Sequence, residues 1–201
     1  MRRLLVLLLL SFFVTLNAAT TITEDFENNS FAGWSTTDGT LSIQTQGTQV
    51  LDFHPTSTNV QQNFEKTYNL GFVPNSEVNV SFDVWTNGGW EGPNEANEDF
   101  GYVALNDVYI LNGEHIPGAT DGSIDIIFNS YTITGTVDAN GDLKLLLGID
   151  VSTTDEYVQI DNITITGTAK TPPIMGDVPD QFLALGQAYN FDLSSFVTLT
   201  E

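Results

Sequence analysis

The stretch that decides the fold is DEYVQIDNITITG, residues 155–167. Apolar and polar residues alternate along it, which is typical of a β-strand with one buried face. The apolar phase changes between Ile160 and Ile163, so we expect a β-bulge there. Asp161 lies at this change of phase, and a buried carboxylate is costly unless a cation or a donor meets it. The stretch therefore predicts the closing strand of a β-sandwich that carries an ion-binding acid.

A second stretch, EDFENNSFAGW at residues 24–34, follows the predicted first strand at residues 20–27. We expect the first and last strands to lie side by side and to share a structural calcium ion. Calcium takes about six to eight oxygen ligands, and carboxylates with backbone carbonyls supply them. The alternative is that the acids lie at a strand end in water or bind backbone amides.

The N-terminus has the features of a secretory signal peptide over residues 1–19: two arginines, an apolar run, and small residues at Ala18 and Ala19. Without it, three lysines remain against 26 acidic residues, a formal net charge of −23. Such a charge repels nucleic acid and anionic membranes, and it either attracts divalent cations or keeps the protein soluble in salt. We therefore expect a secreted or cell-surface protein with no transmembrane segment and no nucleic-acid partner.

The composition is that of an all-β protein: 41% of the residues are hydrophobic, and Gly, Asn and Asp punctuate the apolar runs. There is no cysteine, so no disulfide stabilises the exported chain. We predict a first β-sandwich domain at residues 20–167, a linker at residues 168–173, and the first strands of a second β-sandwich domain at residues 174–201.

Three strand patterns stand out inside the first domain. Residues 78–85 alternate as a central strand with Val78, Val80, Phe82 and Val84 facing the core. A tight hairpin is predicted at residues 100–111, and a second hairpin at residues 131–151. The turn of the second hairpin, DANGD, has part of the spacing of a calcium loop, but Leu143 stands where that loop needs glycine, so a plain turn is favoured.

Other acidic and aromatic residues are candidates for ion or ligand binding. The acids of the loop at residues 86–99 are candidate ligands of a second metal ion; the alternative is a solvated, flexible loop. These acids are Glu91, Glu95, Glu98 and Asp99. A sugar ring can stack on an exposed aromatic side chain while acids and amides bind its hydroxyls. The candidate ligand face is Asp83, Trp85, Trp90 and Tyr109; the alternative is that these rings cover loop and sheet.

No motif demands an enzyme. Glycoside hydrolysis needs two carboxylates held about 5 to 10 Å apart across a cleft, and the loop acids show no such strand-borne pair. We therefore expect a non-catalytic protein.

The two ends of the first domain resemble those of galactose-binding-like jelly-roll modules, including MAM domains and carbohydrate-binding modules. The matching residues are Asp25, Phe26, Glu27, Trp34, Ile160, Asp161 and Asn162. The resemblance implies an antiparallel jelly-roll β-sandwich with calcium bound by Glu27 and Asp161, and with Asp25 as a further candidate ligand. Because MAM domains usually carry cysteines, bacterial carbohydrate-binding and adhesin-type relatives are the nearer comparison.

The tail resembles the start of the cadherin-like, Ig-type repeats of bacterial surface proteins. The matching residues are Pro173, Pro179, Asp180, Gln181, Gly186, Phe191, Asp192 and Leu193. This resemblance implies a longer, multidomain parent protein. The sequence thus predicts a calcium-stabilised adhesion or binding module whose partner is a glycan or a cell-surface protein. The alternative is a carbohydrate-binding module for extracellular polysaccharide.

Overall fold

Two antiparallel sheets form the domain in the computed structural model, which describes residues 19–93, 97–115 and 127–170 and two short strands at 174–175 and 197–198. In chain order the strands are β1 (Ala19–Glu24), β2 (Trp34–Thr36), β3 (Gly39–Thr45), β4 (Gln49–Pro55), β5 (Gln62–Tyr68), β6 (Glu77–Asn87), β7 (Phe100–Leu105), β8 (Val108–Glu114), β9 (Ile127–Thr136), β10 (Leu143–Asp150), β11 (Tyr157–Thr168), β12 (Ile174–Met175) and β13 (Val197–Thr198). The described residues contain no helix, and hence none that could cross a membrane.

Strands β1 to β11 divide into two sheets that supply the two halves of the core, and β12 and β13 pair with each other. Sheet A has the order β3-β4-β11-β6-β9, with β1 also paired to β11, and sheet B has the order β2-β5-β10-β7-β8. Alternate residues of β6 point inward, as the sequence pattern predicts. The inward side chains of β6 and β10 are almost fully buried, and Phe53 of sheet A stacks on Phe64 of sheet B with ring centroids 4.6 Å apart. The predicted all-β antiparallel sandwich is confirmed.

The first and last strands lie side by side, as predicted. β1 pairs with β11 from Ala19 opposite Thr168 to Glu24 opposite Ile163. β4 pairs with the earlier part of the same edge of β11, and β6 covers the other edge. The register between β11 and β6 shifts after Asp161, which confirms the bulge. The next residue there, Asn162, has a φ of 52°, in the left-handed region that bulges and turns use.

The two predicted hairpins have different outcomes. β7 and β8 form the first hairpin around Asn106 and Asp107, both with positive φ, as a two-residue turn of this kind requires. The second hairpin is wrong: β9 pairs with β6 in sheet A, whereas β10 pairs with β5 and β7 in sheet B. The turn at residues 138–142 therefore crosses from one sheet to the other. Alternating apolar residues specify which face is buried, and here the two apolar faces meet across the core instead of lying side by side.

The turn itself has the plain character that the sequence favours. The Asp138 carboxylate accepts hydrogen bonds from the backbone amides of Asp142 and Asn140, each at 2.8 Å. These bonds, the one from Asp142 first, hold the pKa of Asp138 below its usual value. Gly141 has a φ of 85° and packs directly on the backbone of Phe72.

Residues 168–170, the first part of the predicted linker, contact the sandwich. Thr168 is the last residue of β11, Ala169 forms a bridge with Phe72, and the Lys170 amide donates to the Gly71 carbonyl at 3.3 Å. Beyond this point β12 and β13 pair antiparallel. The predicted signal peptide up to Ala18 and the residues that carry the cadherin-like resemblance lie outside the described residues.

Candidate functional site

Asp161 occupies the point on β11 between the segment that pairs with β4 and the segment that pairs with β1. Its side chain is 1% exposed. Oδ2 accepts a hydrogen bond from Thr48 Oγ1 at 2.9 Å, whereas Oδ1 is buried and accepts none from any described residue. A buried carboxylate oxygen without a donor is destabilising unless a cation meets it. The predicted acid therefore has the environment of a metal ligand.

Two other predicted calcium ligands, Glu27 and Asp25, lie close enough for their charges to act on Asp161, but the oxygens of the three acids are not all within 4.8 Å of one another. Glu27 Oε1 accepts a hydrogen bond from the backbone N–H of Gln49 at 3.0 Å, and Asp25 Oδ1 accepts one from the backbone N–H of Glu27 at 3.3 Å. Burial raises the pKa of Asp161, and the negative charges of Glu27 and Asp25 raise it further. Gln49 Oε1 is a second buried oxygen that accepts no hydrogen bond from the described residues. Carboxylate and amide oxygens of this kind are what calcium binds.

A tighter acidic cluster lies elsewhere. Among the described residues, the set of three carboxylates with oxygens all within 4.8 Å of one another is Glu91, Asp99 and Glu156, and this triad could hold a metal ion. Asp99 and Glu156 are buried. Asp99 accepts from the Glu91 amide at 2.6 Å and from the Ser152 amide at 2.9 Å. Burial, opposed in part by these bonds, raises the pKa of Asp99 to about 8, with the Glu156 charge adding to the rise.

The triad shares Glu91 and Asp99 with the predicted second metal site, which stays a prediction. Glu98 is not a member: its carboxylate lies 3.7 Å from the His115 ring. Glu95 lies outside the described residues. Glu156, which the sequence analysis missed, directly precedes β11. Its Oε2 accepts a hydrogen bond from the backbone N–H of Thr153 at 2.7 Å. The alternative of a solvated loop is also wrong for the described part, because Asp99 is fully buried.

Without bound metal, the triad makes stability depend on pH. A carboxyl whose pKa is raised in the folded state contributes stability below its unfolded pKa and loses it as pH rises through the folded value. With chelator present, we expect the free energy of unfolding to fall between pH 5.5 and 8.5, by at most about 3 kcal/mol for one proton. Glu156→Gln removes one charge beside Asp99, so the free energy of unfolding of this variant should fall less over the same pH range. Thermal unfolding across this range measures both, and equal declines in parent and variant would contradict the coupling.

The predicted ligand face is divided between the two sheets. Asp83 and Trp85 lie on the outer face of sheet A, and the Trp85 ring contacts Phe128 with centroids 5.0 Å apart. Tyr109 lies on β8, at the edge of sheet B. Trp90 is wrong as a ligand residue: it is 1% exposed, and its indole Nε1 donates to the Asn87 carbonyl at 3.0 Å. The aromatic residue of this acidic loop is therefore part of the core.

A group of polar and aromatic side chains covers the outer face of sheet B. We call this surface the tyrosine face; it consists of Gln61, Asn63, Tyr102 and Tyr109. The two tyrosine rings meet edge to face with centroids 6.4 Å apart. Gln61 Nε2 donates to Asn63 Oδ1 at 2.8 Å and to the Tyr109 hydroxyl at 3.0 Å. Tyr102 alternates with buried Val103 along β7, so the period-two pattern could have identified it.

Gly148 lies in the middle of this face, paired with Asn63 on one side and Tyr102 on the other. A Cβ atom at this position would come within 2.1 Å of Asn63 Oδ1. The glycine therefore leaves room for the amide between the strands. Burial raises the pKa of Tyr102, and the nearby Asp150 and Tyr109 raise it further, so this hydroxyl remains a hydrogen-bond donor at neutral pH.

Several solved structures are similar to this chain. The K1 cleaved adhesin domain of Lys-gingipain from Porphyromonas gingivalis W83 is similar at 16% identity, with a TM-score of 0.50 over 75% of this chain and 99% of that one. The CBM22-1 xylan-binding domain of Xyn10C from Paenibacillus barcinonensis gives 13% identity, 77% and 99% coverage, and a TM-score of 0.47. A family 35 carbohydrate-binding module from Clostridium thermocellum is 11% identical over 73% of this chain and 97% of that one, with a TM-score of 0.42. No family model and no curated protein matches the sequence. The likeness at a TM-score of 0.50 shows that this chain has the fold of the K1 adhesin domain.

Proposed function

We propose that residues 20–167 form a non-catalytic carbohydrate-binding module and that the tyrosine face is its ligand surface. The observation that carries this proposal is the pair of tyrosine rings beside the linked amides of Gln61 and Asn63. The apolar face of a sugar ring packs on an aromatic ring, and amide and phenol groups exchange hydrogen bonds with its hydroxyls. Tyr109 is 42% exposed and accessible for such contacts.

The charge distribution favours a neutral glycan. Of the three lysines outside the predicted signal peptide, Lys66 pairs with Glu24, and Lys144 pairs with Glu65 and Asp107. The third, Lys170, donates a hydrogen bond to the carbonyl of Asn140 in the turn at residues 138–142. An anionic polysaccharide would meet the strongly negative field of the chain. The sequence analysis placed adhesion first and carbohydrate binding second, and the chemistry of the tyrosine face supports the reverse order.

Calcium is the proposed cofactor, with Asp161, Glu27 and Asp25 as its ligands. The support is the buried Oδ1 of Asp161, which accepts no hydrogen bond from the described residues, and the nearby charges of Glu27 and Asp25. Gln49 Oε1 is another buried oxygen without a hydrogen-bond donor among the described residues. An ion there would connect the loop after β1 to the closing strand and would stabilise the sandwich. The proposed location is outside the cell or on its surface, where calcium is abundant.

The tyrosine face gives a direct test of ligand binding. We expect neutral polysaccharides, offered as arabinoxylan, galactan and galactomannan in native gels, to retard the protein, and polygalacturonate not to do so. Removing an aromatic side chain at the centre of a binding surface typically costs about 2 kcal/mol or more, roughly a thirtyfold weaker affinity. Tyr102→Ala and Tyr109→Ala should each show such a loss for the polysaccharide that binds.

The matched control is Val108→Ala, because Val108 is 63% exposed on the same strand as Tyr109 but is not part of the tyrosine face. It should leave the affinity unchanged. A parent protein that none of the neutral polysaccharides retards, or tyrosine variants that bind as well as the parent, would refute the proposed function of this face.

A further inference from the structure

Four neighbouring strands of sheet A each place one aromatic ring on the outer face. These are His54 on β4, Tyr157 on β11, Trp85 on β6 and Phe128 on β9. The rings of His54 and Tyr157 stack with centroids 4.0 Å apart, and those of Trp85 and Phe128 are 5.0 Å apart. We call the surface that these four rings define the tryptophan face. It lies on the opposite side of the sandwich from the tyrosine face.

The polar groups between the two ring pairs are fixed by one another. Gln159 lies directly opposite Trp85 in the register of β11 and β6. Its Nε2 donates to Asp52 Oδ1 at 2.8 Å, and its Oε1 accepts from Asn87 Nδ2 at 3.2 Å. Gln159, Asp52 and Asn87 are all buried. Their mutual hydrogen bonds fix the strands that carry the rings, and a preorganised surface reduces the entropy cost of binding a ligand to those rings.

A second fixed acceptor lies beside Trp85 and Phe128. Asp83 accepts from Ser130 Oγ at 2.5 Å and from Asn162 Nδ2 at 2.9 Å. The bulge in β11 gives Asn162 the backbone conformation from which it reaches Asp83. Each carboxylate oxygen has two lone pairs, so Asp83 can still accept hydrogen bonds from ligand hydroxyls.

From this arrangement we propose that the tryptophan face is a second carbohydrate site and that it binds a neutral polysaccharide chain running across the strands. Phe128 is 53% exposed, so apolar ring surface is available. The partly exposed Asp83 disfavours an anionic polymer, and a polar acceptor beside aromatic rings suits a polyhydroxylated ligand better than an apolar protein surface. Neighbouring strands lie about 4.8 Å apart, so rings on four strands suit a ligand of several consecutive sugar units.

Two sites on opposite faces make the domain bivalent. Each face belongs to a different sheet, so two separate polysaccharide chains can bind at once. A bivalent module cross-links soluble chains, and on a dense polysaccharide surface its avidity exceeds the affinity of either site. This inference assigns a second site in addition to the proposed tyrosine site, and the two can be tested separately.

The test is isothermal titration of the parent protein with xylohexaose, mannohexaose and galactotriose, followed by variants of each face. For a sugar that binds, we expect two sites per chain in the parent. Tyr102→Ala with Tyr109→Ala should leave one site, and Phe128→Ala with Trp85→Leu should leave the other. Combining all four substitutions should reduce binding at least a hundredfold. Thermal midpoints in calcium verify folding, and Phe128→Ala alone, at an exposed position, is the variant least able to disturb the core.

The outcomes separate the two proposals. One site per chain that survives Phe128→Ala and disappears in the tyrosine pair overturns the tryptophan site and leaves the proposed function intact. One site that disappears only in the Phe128 and Trp85 variants overturns bivalency and the role of the tyrosine face. Precipitation of a bound soluble polysaccharide by the parent, but not by either pair variant, supports two sites.

Discussion

We expect millimolar calcium to raise the thermal midpoint of this domain by roughly 8 to 16 °C and Asp161→Asn to abolish most of the rise. A ligand at a thousandfold excess over its dissociation constant stabilises the folded state by about 4.1 kcal/mol, and each kcal/mol is about 2 to 4 °C for a domain of this size. With chelator, the order reverses: Asp161→Asn should be at least as stable as the parent, because it removes a buried charge beside Glu27 and Asp25. Scanning calorimetry with calcium or chelator measures all four conditions.

Two comparison variants assign the effect to a site. Glu77→Gln removes an exposed acid of β6 and should keep the whole calcium response. Glu156→Gln removes one ligand of the other acidic cluster, so any part of the response that it abolishes belongs to the Glu91, Asp99 and Glu156 triad. If Asp161→Asn retains the parent's full response, calcium does not bind at Asp161.

Gly141→Ala should destabilise the domain by several kcal/mol, whereas Gly47→Ala should cost only about 1 to 2 kcal/mol. Gly141 has a φ of 85° and Gly47 has a φ of 88°, so alanine would meet the same backbone penalty at both positions. They differ in their surroundings: a Cβ at Gly141 would come within 2.1 Å of the Phe72 carbonyl oxygen, and one at Gly47 would meet nothing within 4 Å. Because the contact at Gly141 is with backbone, no side-chain rotation relieves it.

Urea unfolding in calcium compares the two glycine variants. The difference between their free energies of unfolding isolates the contact with Phe72, and with it the packing of the sheet-crossing turn. Equal losses in the two variants would show that the turn can move away from Phe72 without cost. A larger loss in Gly47→Ala would contradict the description of both turns.

The strands and their buried faces could be predicted from the sequence because alternation is a local property. The inward residues of β6 followed from its alternation, whereas the pairing of β1 with β11 was expected from the sequence motifs at the two ends of the domain. The partner of a strand is not local. β9 and β10 are consecutive and both alternate, yet they belong to different sheets, because each found its neighbours among strands distant in sequence.

The candidate sites show the same limit. Asp161 was identifiable because a carboxylate interrupts an apolar pattern, and its burial in the structure agrees with that reasoning. Glu156 was not, because it joins Glu91 and Asp99 only after the closing strand and the acidic loop meet. Trp90 had the sequence context of an exposed loop ring, but it packs in the core and its indole donates to the Asn87 carbonyl, which no spacing rule predicts.

The pairing of β1 with β11 also determines how the domain would respond to a pulling force. Ala19 lies opposite Thr168, so the chain enters and leaves this strand pair at the same end. Tension applied through the segment after Thr168 would peel β11 from β1 one residue at a time, from Thr168 towards Ile163, instead of shearing all the hydrogen bonds of the pair together. The peeling front would then reach Glu27 and Asp161, and an ion held between them would act as a mechanical stop just before the sandwich opens.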